Sequence, residues 1–157
     1  MSAVEERVVE LLRKKNWMIA TAESCTGGLI GAALVNVPGA SSVYSEGFIT
    51  YSDQAKRELL GVKEETLAHF TAVSAETARE MAEGAVARAH AQIAVASTGI
   101  AGPDGGSPEQ PVGLVYLACS QGGQTHVEKH IFQGDRAAVR HQATARALEM
   151  VLLEANG

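Results

Sequence analysis

Residues 17–35, Trp17-Met18-Ile19-Ala20-Thr21-Ala22-Glu23-Ser24-Cys25-Thr26-Gly27-Gly28-Leu29-Ile30-Gly31-Ala32-Ala33-Leu34-Val35, decide the fold. Trp17 to Thr21 is a short apolar run suited to a buried strand. Leu29 to Val35 reads as a helix that stops before Pro38-Gly39. Between them, Ala22 to Gly28 leaves room only for a tight turn. A buried strand passing directly into a helix is the unit from which helix-covered sheets are built.

The pattern repeats on either side. Val4, Val8, Leu11 and Leu12 recur at helical spacing, which predicts an amphipathic helix over 3–15. Val43 to Tyr51 reads as a strand rich in β-branched and aromatic residues. Ser52 or Asp53 then caps a short helix ending at Gly61, and a further short helix covers 63–70. Ser74 caps a clearer helix with Ala78, Met81, Ala82, Ala85 and Val86 on one face. Ile93 to Ser97 is a compact strand. Val112 to Cys119 and Thr125 to Phe132 flank Ser-Gln-Gly-Gly-Gln and predict a hairpin with a longer loop. Asp135 caps the last helix, with Val139, Ala143, Leu148, Val151 and Leu152 facing inward. Five strands among five or six helices predict a three-layer α/β/α sandwich, and the late hairpin makes its five- to six-stranded sheet mixed.

The 157 residues fit one domain spanning 1–157, without repeat or linker. A hydrophobic fraction of 46% with 20% charged residues is that of a globular protein. Aromatic residues make up only 4%, so Ala-rich helices packed closely on the sheet are expected, with few platforms for stacking bases. The net charge is −5 and the basic residues are scattered, which argues against a nucleic-acid partner. No apolar run approaches the length of a membrane span, and the polar start is neither a secretory signal nor a transit peptide. A cytoplasmic location, with Cys25 and Cys119 reduced, follows as the expectation.

Four segments could carry chemistry. In Glu23-Ser24-Cys25-Thr26-Gly27-Gly28, a serine stands at a helix N-terminus, where unpaired N–H groups can hold an oxyanion. The two glycines would let a planar substrate approach the backbone. The same serine could equally be an N-cap. In Tyr51-Ser52-Asp53-Gln54-Ala55-Lys56, a lysine falls near the start of a helix, where the dipole disfavours its charge. A general-base lysine must descend from about 10.4 to roughly 7–8, so burial would have to add to the dipole. On spacing alone Lys56 could be solvated and Tyr51 a core residue.

The third segment, Ser97-Thr98-Gly99-Ile100-Ala101-Gly102-Pro103, opens a Gly- and Pro-rich stretch over 99–111. Loops of that length are often functional, although a mobile surface loop reads the same way. It carries neither a Walker loop nor a dinucleotide fingerprint. Fourth, Arg136 and Arg140, one turn apart behind Gly134-Asp135, suit a phosphate or carboxylate, or else mark a solvated helix start. The five histidines show no metal-ligand spacing, so no metal is expected. Cys25 as nucleophile ranks below Ser24, because no histidine is recognisably placed to serve it.

Taken in order, these four motifs resemble the CinA C-terminal domain family of nicotinamide-nucleotide amidases over about residues 5–153. The resemblance implies hydrolysis of the carboxamide of nicotinamide mononucleotide to nicotinate mononucleotide and ammonia, in NAD recycling and without a cofactor. It implies Ser24 as nucleophile and the following N–H groups, from Cys25, Thr26, Gly27 and Gly28, as oxyanion donors. Lys56 would be base and then acid, with Tyr51 tuning the proton path. Thr98, Gly99 and Gly102 would line the substrate site, and Arg140, or else Arg136, would face the phosphate. It further implies a stand-alone amidase without the additional N-terminal domain of many relatives, and a homodimer or larger assembly. A non-catalytic pyridine-nucleotide-binding module is the rival, and an amidase for another small amide a weaker one.

Overall fold

The computed structural model describes residues 2–157. In chain order it contains α1 (Val4–Lys15), β1 (Ile19–Glu23), α2 (Leu29–Val35), a 3-10 turn (Ala40–Ser42), β2 (Tyr44–Ile49) and α3 (Asp53–Leu60). There follow α4 (Glu64–Phe70), α5 (Ala75–Ala89), β3 (Ile93–Gly99), β4 (Leu114–Gln121), β5 (Gln124–Ile131) and α6 (Arg136–Asn156). The five strands form one sheet in the order β2-β1-β3-β4-β5. β1 runs parallel to β2 and β3, and β4 and β5 complete the sheet antiparallel, so the sheet is mixed as expected.

The two faces of the sheet differ in side-chain size, and the alternation of the strands causes it. Ile19, Ile93, Val95, Val115, Leu117 and Cys119 point to one face and pack with α1, α2 and α6. Ala20, Ala22, Ala94, Ala96 and Ala118 point to the other, where α5 lies with Leu60 of α3 and Leu67 of α4. Alanines let α5 approach closely, and Gly84 lets α5 meet the end of α3: a Cβ there would overlap the Leu60 carbonyl. No helix is long and apolar enough to cross a membrane among the described residues.

Ser52, Ser74 and Asp135 each accept a backbone N–H at the start of α3, α5 and α6, as capping chemistry predicts. Most strand ends shift by one or two residues from the sequence reading, β4 for example to Leu114–Gln121, and two of the differences have a clear physical cause. β1 lies two residues later than its apolar run, ending on the buried Glu23. The β4–β5 hairpin closes through Gly122-Gly123 alone, since Gln121 already pairs with Gln124; both glycines have positive φ, 61° and 81°. That is the two-residue turn favoured by strand twist, in place of the longer loop expected.

The outgoing connections of the neighbouring strands β1 and β3 leave in opposite directions, one to β2 and one to β4. The crevice outside the carboxyl ends of such a strand pair is where open α/β sheets bind ligands. Ser24 and the Ser97–Gly99 segment both lie there.

Candidate active site

The turn after β1 is built around a buried carboxylate. Glu23 Oε1 accepts from Thr26 Oγ1 (2.6 Å), Gly28 N (3.0 Å) and Ile30 N (3.0 Å), and Oε2 accepts from Gly31 N (2.9 Å). Glu23 therefore satisfies the first N–H groups of α2 by reaching forward from the preceding strand. The N-cap position itself is Gly28, which has no side chain to offer. Ser24 is thus not the N-cap, and its hydroxyl is released for another partner.

That partner is Lys56, whose Nζ lies 3.1 Å from Ser24 Oγ. The same Nζ donates to the Thr50 carbonyl at 2.7 Å. The position follows from local structure. Side chains on a helix lean toward its N-terminus, so Lys56 reaches back over the first turn of α3. The Thr50 N–H donates to the Glu23 carbonyl at 2.8 Å, which ties the end of β2 to the end of β1 and brings α3 to Ser24.

Lys56 is 2% exposed, and no carboxylate lies within ion-pair distance of it among the described residues. Burial lowers its pKa from 10.5, against an opposing pull from Asp53 in the first turn of α3. A neutral amine has one lone pair and two N–H bonds. With one N–H on the Thr50 carbonyl, the lone pair can accept the Ser24 hydroxyl proton. This is the geometry of an activated nucleophile and its base.

Of the residues expected after Ser24, Cys25 and Thr26 turn their side chains to the core and to Glu23, and the four differ in which N–H groups they leave unpaired. The Cys25 side chain packs in the core on the α6 face, where burial pushes its thiol up to about 11 and disfavours the thiolate that a nucleophile needs. Thr26 is fully buried, its hydroxyl donating to Glu23 and lying 2.7 Å from Ser97 Oγ. Because its one proton goes to Glu23, Ser97 must donate to it, leaving a Ser97 lone pair toward the Ser24 N–H (3.4 Å). The N–H groups of Gly27 and Gly28 are engaged by the Ser24 carbonyl (3.1 Å) and by Glu23. The N–H groups of Cys25 and Thr26 have no oxygen acceptor among the described residues. Of the four donors expected after Ser24, only these two are left without an oxygen acceptor among the described residues.

Thr98 lies at the end of β3, buried, and its hydroxyl donates to the Ala72 carbonyl (2.7 Å). The loop after Gly99 is pinned at both ends. Gln110 Nε2 donates to the Val73 carbonyl, and the Gly102 carbonyl accepts from Arg136 Nη1, each at 2.7 Å. Arg136 also donates to Tyr51 Oη at 3.0 Å. Tyr51 is 65% exposed, and that hydroxyl makes no hydrogen bond to Ser24 or Lys56. Arg140 points inward to the turn, donating to the Cys25 carbonyl (2.9 Å) and the Thr26 carbonyl (3.1 Å).

Glu23 and Ser97 stood inside the motifs without a role. The available signal for Glu23 was a carboxylate between an apolar strand and a helix start without a capping side chain. Nothing in the sequence marks the Thr50 carbonyl, whose role depends on strand pairing.

The structure thus defines an α/β sandwich with a buried serine–lysine pair at the strand-to-helix turn of its central crevice. The family model described as the CinA C-terminal domain matches residues 1–154, and the chain belongs to that family. A CinA-like protein of Kosmotoga olearia is 54% identical over 149 residues, and a competence-damage inducible protein of Clostridioides difficile 51% over 153. These alignments cover 95% and 98% of the chain, which spans only 36% and 37% of those relatives. Among solved structures, a CinA superfamily protein from Klebsiella pneumoniae superposes with a TM-score of 0.94 at 39% identity, covering 98% of this chain and 96% of that one. A competence/damage inducible protein from Agrobacterium tumefaciens gives 0.91 at 44% identity, covering 100% and 98%.

Proposed function

We propose that the chain is a metal-independent serine–lysine amidase that hydrolyses the carboxamide of nicotinamide mononucleotide to nicotinate mononucleotide and ammonia. The observation that carries this reading is the 3.1 Å approach of Lys56 Nζ to Ser24 Oγ, with the lysine buried and free of any carboxylate. A structural lysine in that position would be expected to bring a counter-ion.

In this reading, neutral Lys56 takes the Ser24 proton as Oγ attacks the carboxamide carbon. The ring's pyridinium charge makes that carbon more electrophilic. The oxyanion is met by the free N–H groups of the turn. Lys56 returns the proton to the departing nitrogen, so ammonia leaves and an ester to Ser24 remains. Water, deprotonated by Lys56, then cleaves the ester and releases the carboxylate. Thr98 and the 99–111 loop line the substrate site, and the exposed Arg136, with Tyr51 beside it, meets the phosphate at the rim.

The test is ammonia release from nicotinamide mononucleotide by the purified chain, with and without chelator. Release unaffected by chelator, and abolished in a folded Ser24→Ala protein, is expected. Calorimetric binding of the nucleotide without release would replace the enzyme by a nucleotide-binding module.

A further inference from the structure

We propose that Arg140 is a positioning residue of the oxyanion site, acting through the backbone of the turn and not as a partner of the substrate phosphate. The inference rests on the amidase reading and concerns how its transition state is held.

Arg140 spends its planar fork on two successive carbonyls, Nε on Cys25 O (2.9 Å) and Nη2 on Thr26 O (3.1 Å). The Cys25–Thr26 peptide is trans, since the sole cis bond among the described residues is Gly102–Pro103. In a trans peptide the C=O and N–H of one unit point in opposite directions. Drawing the Cys25 carbonyl toward α6 therefore turns the Thr26 N–H away from α6. The two faces of the sheet give that direction a meaning. α6 packs on the large-residue face with the Cys25 side chain, whereas Ser24 Oγ meets Lys56 of α3 on the opposite side. The Thr26 N–H is thus turned toward the face that holds the reacting pair, and it has no acceptor there.

Glu23 makes the assignment sharper. It engages the N–H groups of Gly28, Ile30 and Gly31, so the helix start cannot supply the oxyanion donors. Between them, Glu23 takes the helix N–H groups and Arg140 takes the turn carbonyls. What remains is the Thr26 N–H, with that of Cys25 before it. Gly27 fits the same device: its φ is +58°, and a Cβ there would stand 3.1 Å from Arg140 Nη2.

Arg140→Lys keeps the charge and loses the fork, which separates the two roles. A phosphate partner survives that change; a clamp across two carbonyls does not. We expect kcat to fall on the order of 100-fold in Arg140→Lys and in Arg140→Ala, as when an oxyanion donor is lost. KM should stay within about threefold, with the same kcat loss on nicotinamide riboside, which lacks the phosphate. A KM rise confined to the phosphorylated substrate, or an unchanged kcat, overturns the proposal.

A second readout does not depend on the substrate assignment. A fluorophosphonate forms an Oγ–P bond to Ser24 as fluoride leaves and Lys56 takes the proton, through an oxyanion at phosphorus. Labelling of Ser24, read by mass spectrometry, should be at least tenfold slower in Arg140→Lys than in the parent chain at matched melting temperature. Equal labelling rates overturn the proposal even if the nucleotide is not the substrate. A parent chain that labels Ser24 but releases no ammonia would overturn the amidase reading alone. A parent chain not labelled at Ser24 would overturn both.

Discussion

Replacing Glu23 by glutamine should destabilise the protein by ~2–4 kcal/mol, although the side chain keeps its shape. The magnitude follows from the four bonds its carboxylate accepts. A glutamine oxygen in the Oε1 position can still accept from Thr26, Gly28 and Ile30, but its NH2 group would face the Gly31 N–H, now bonded at 2.9 Å. A buried N–H left without an acceptor costs ~1–3 kcal/mol. The three surviving bonds lose their charge assistance, which adds about 1 kcal/mol more. Urea unfolding followed by circular dichroism reads the change. With an m-value of ~1–3 kcal/mol/M, the midpoint should fall by ~1–2 M at constant m. Glu23→Ala, which strips all four bonds, should be worse. A midpoint for Glu23→Gln within ~0.2 M of the parent would refute the claim that this carboxylate, not Ser24, satisfies the start of α2.

Lys56→Met should abolish ammonia release while raising the melting temperature at pH 7, because it removes a buried amine whose charged form is disfavoured. The sign of the pH dependence follows. The unfolded lysine holds its proton up to about 10.5, whereas the folded one releases it earlier, so parent stability rises with pH across that window and the methionine variant lacks the rise. The kcat/KM profile should likewise climb with pH to a plateau reached below 10.5. Gly27→Ala must place a Cβ at φ +58° against Arg140 and should cost ~1–2 kcal/mol on thermal unfolding, with a larger proportional loss of kcat than of binding.

What the sequence revealed is what local chemistry controls. The strand-turn-helix over 17–35 and the capping residues Ser52, Ser74 and Asp135 could be anticipated from residue type, whereas the pairing of Ser24 with Lys56 came only from the family resemblance. The late end of β1 was hidden because a glutamate rarely occupies a buried strand position. Glu23 does so because four donors from residues 26–31 surround it. Lys56 looked solvated on spacing because its burial is created by strand pairing between β1 and β2, 32 residues from its partner. The direction of Arg140 was equally out of reach: two arginines one turn apart look alike, yet Arg136 goes to Gly102 and Tyr51 while Arg140 clamps the turn.

Attack of Ser24 on the amide with Lys56 as its base requires an acyl-enzyme on that serine. Acid-quenching the reaction within the first turnover and measuring the peptide that contains Ser24 should reveal an adduct equal to the nucleotide less ammonia. That adduct should be absent from Ser24→Ala and should not form in Lys56→Met. Ammonia release from Ser24→Ala at the parent rate, with no adduct on the parent serine, would contradict the account.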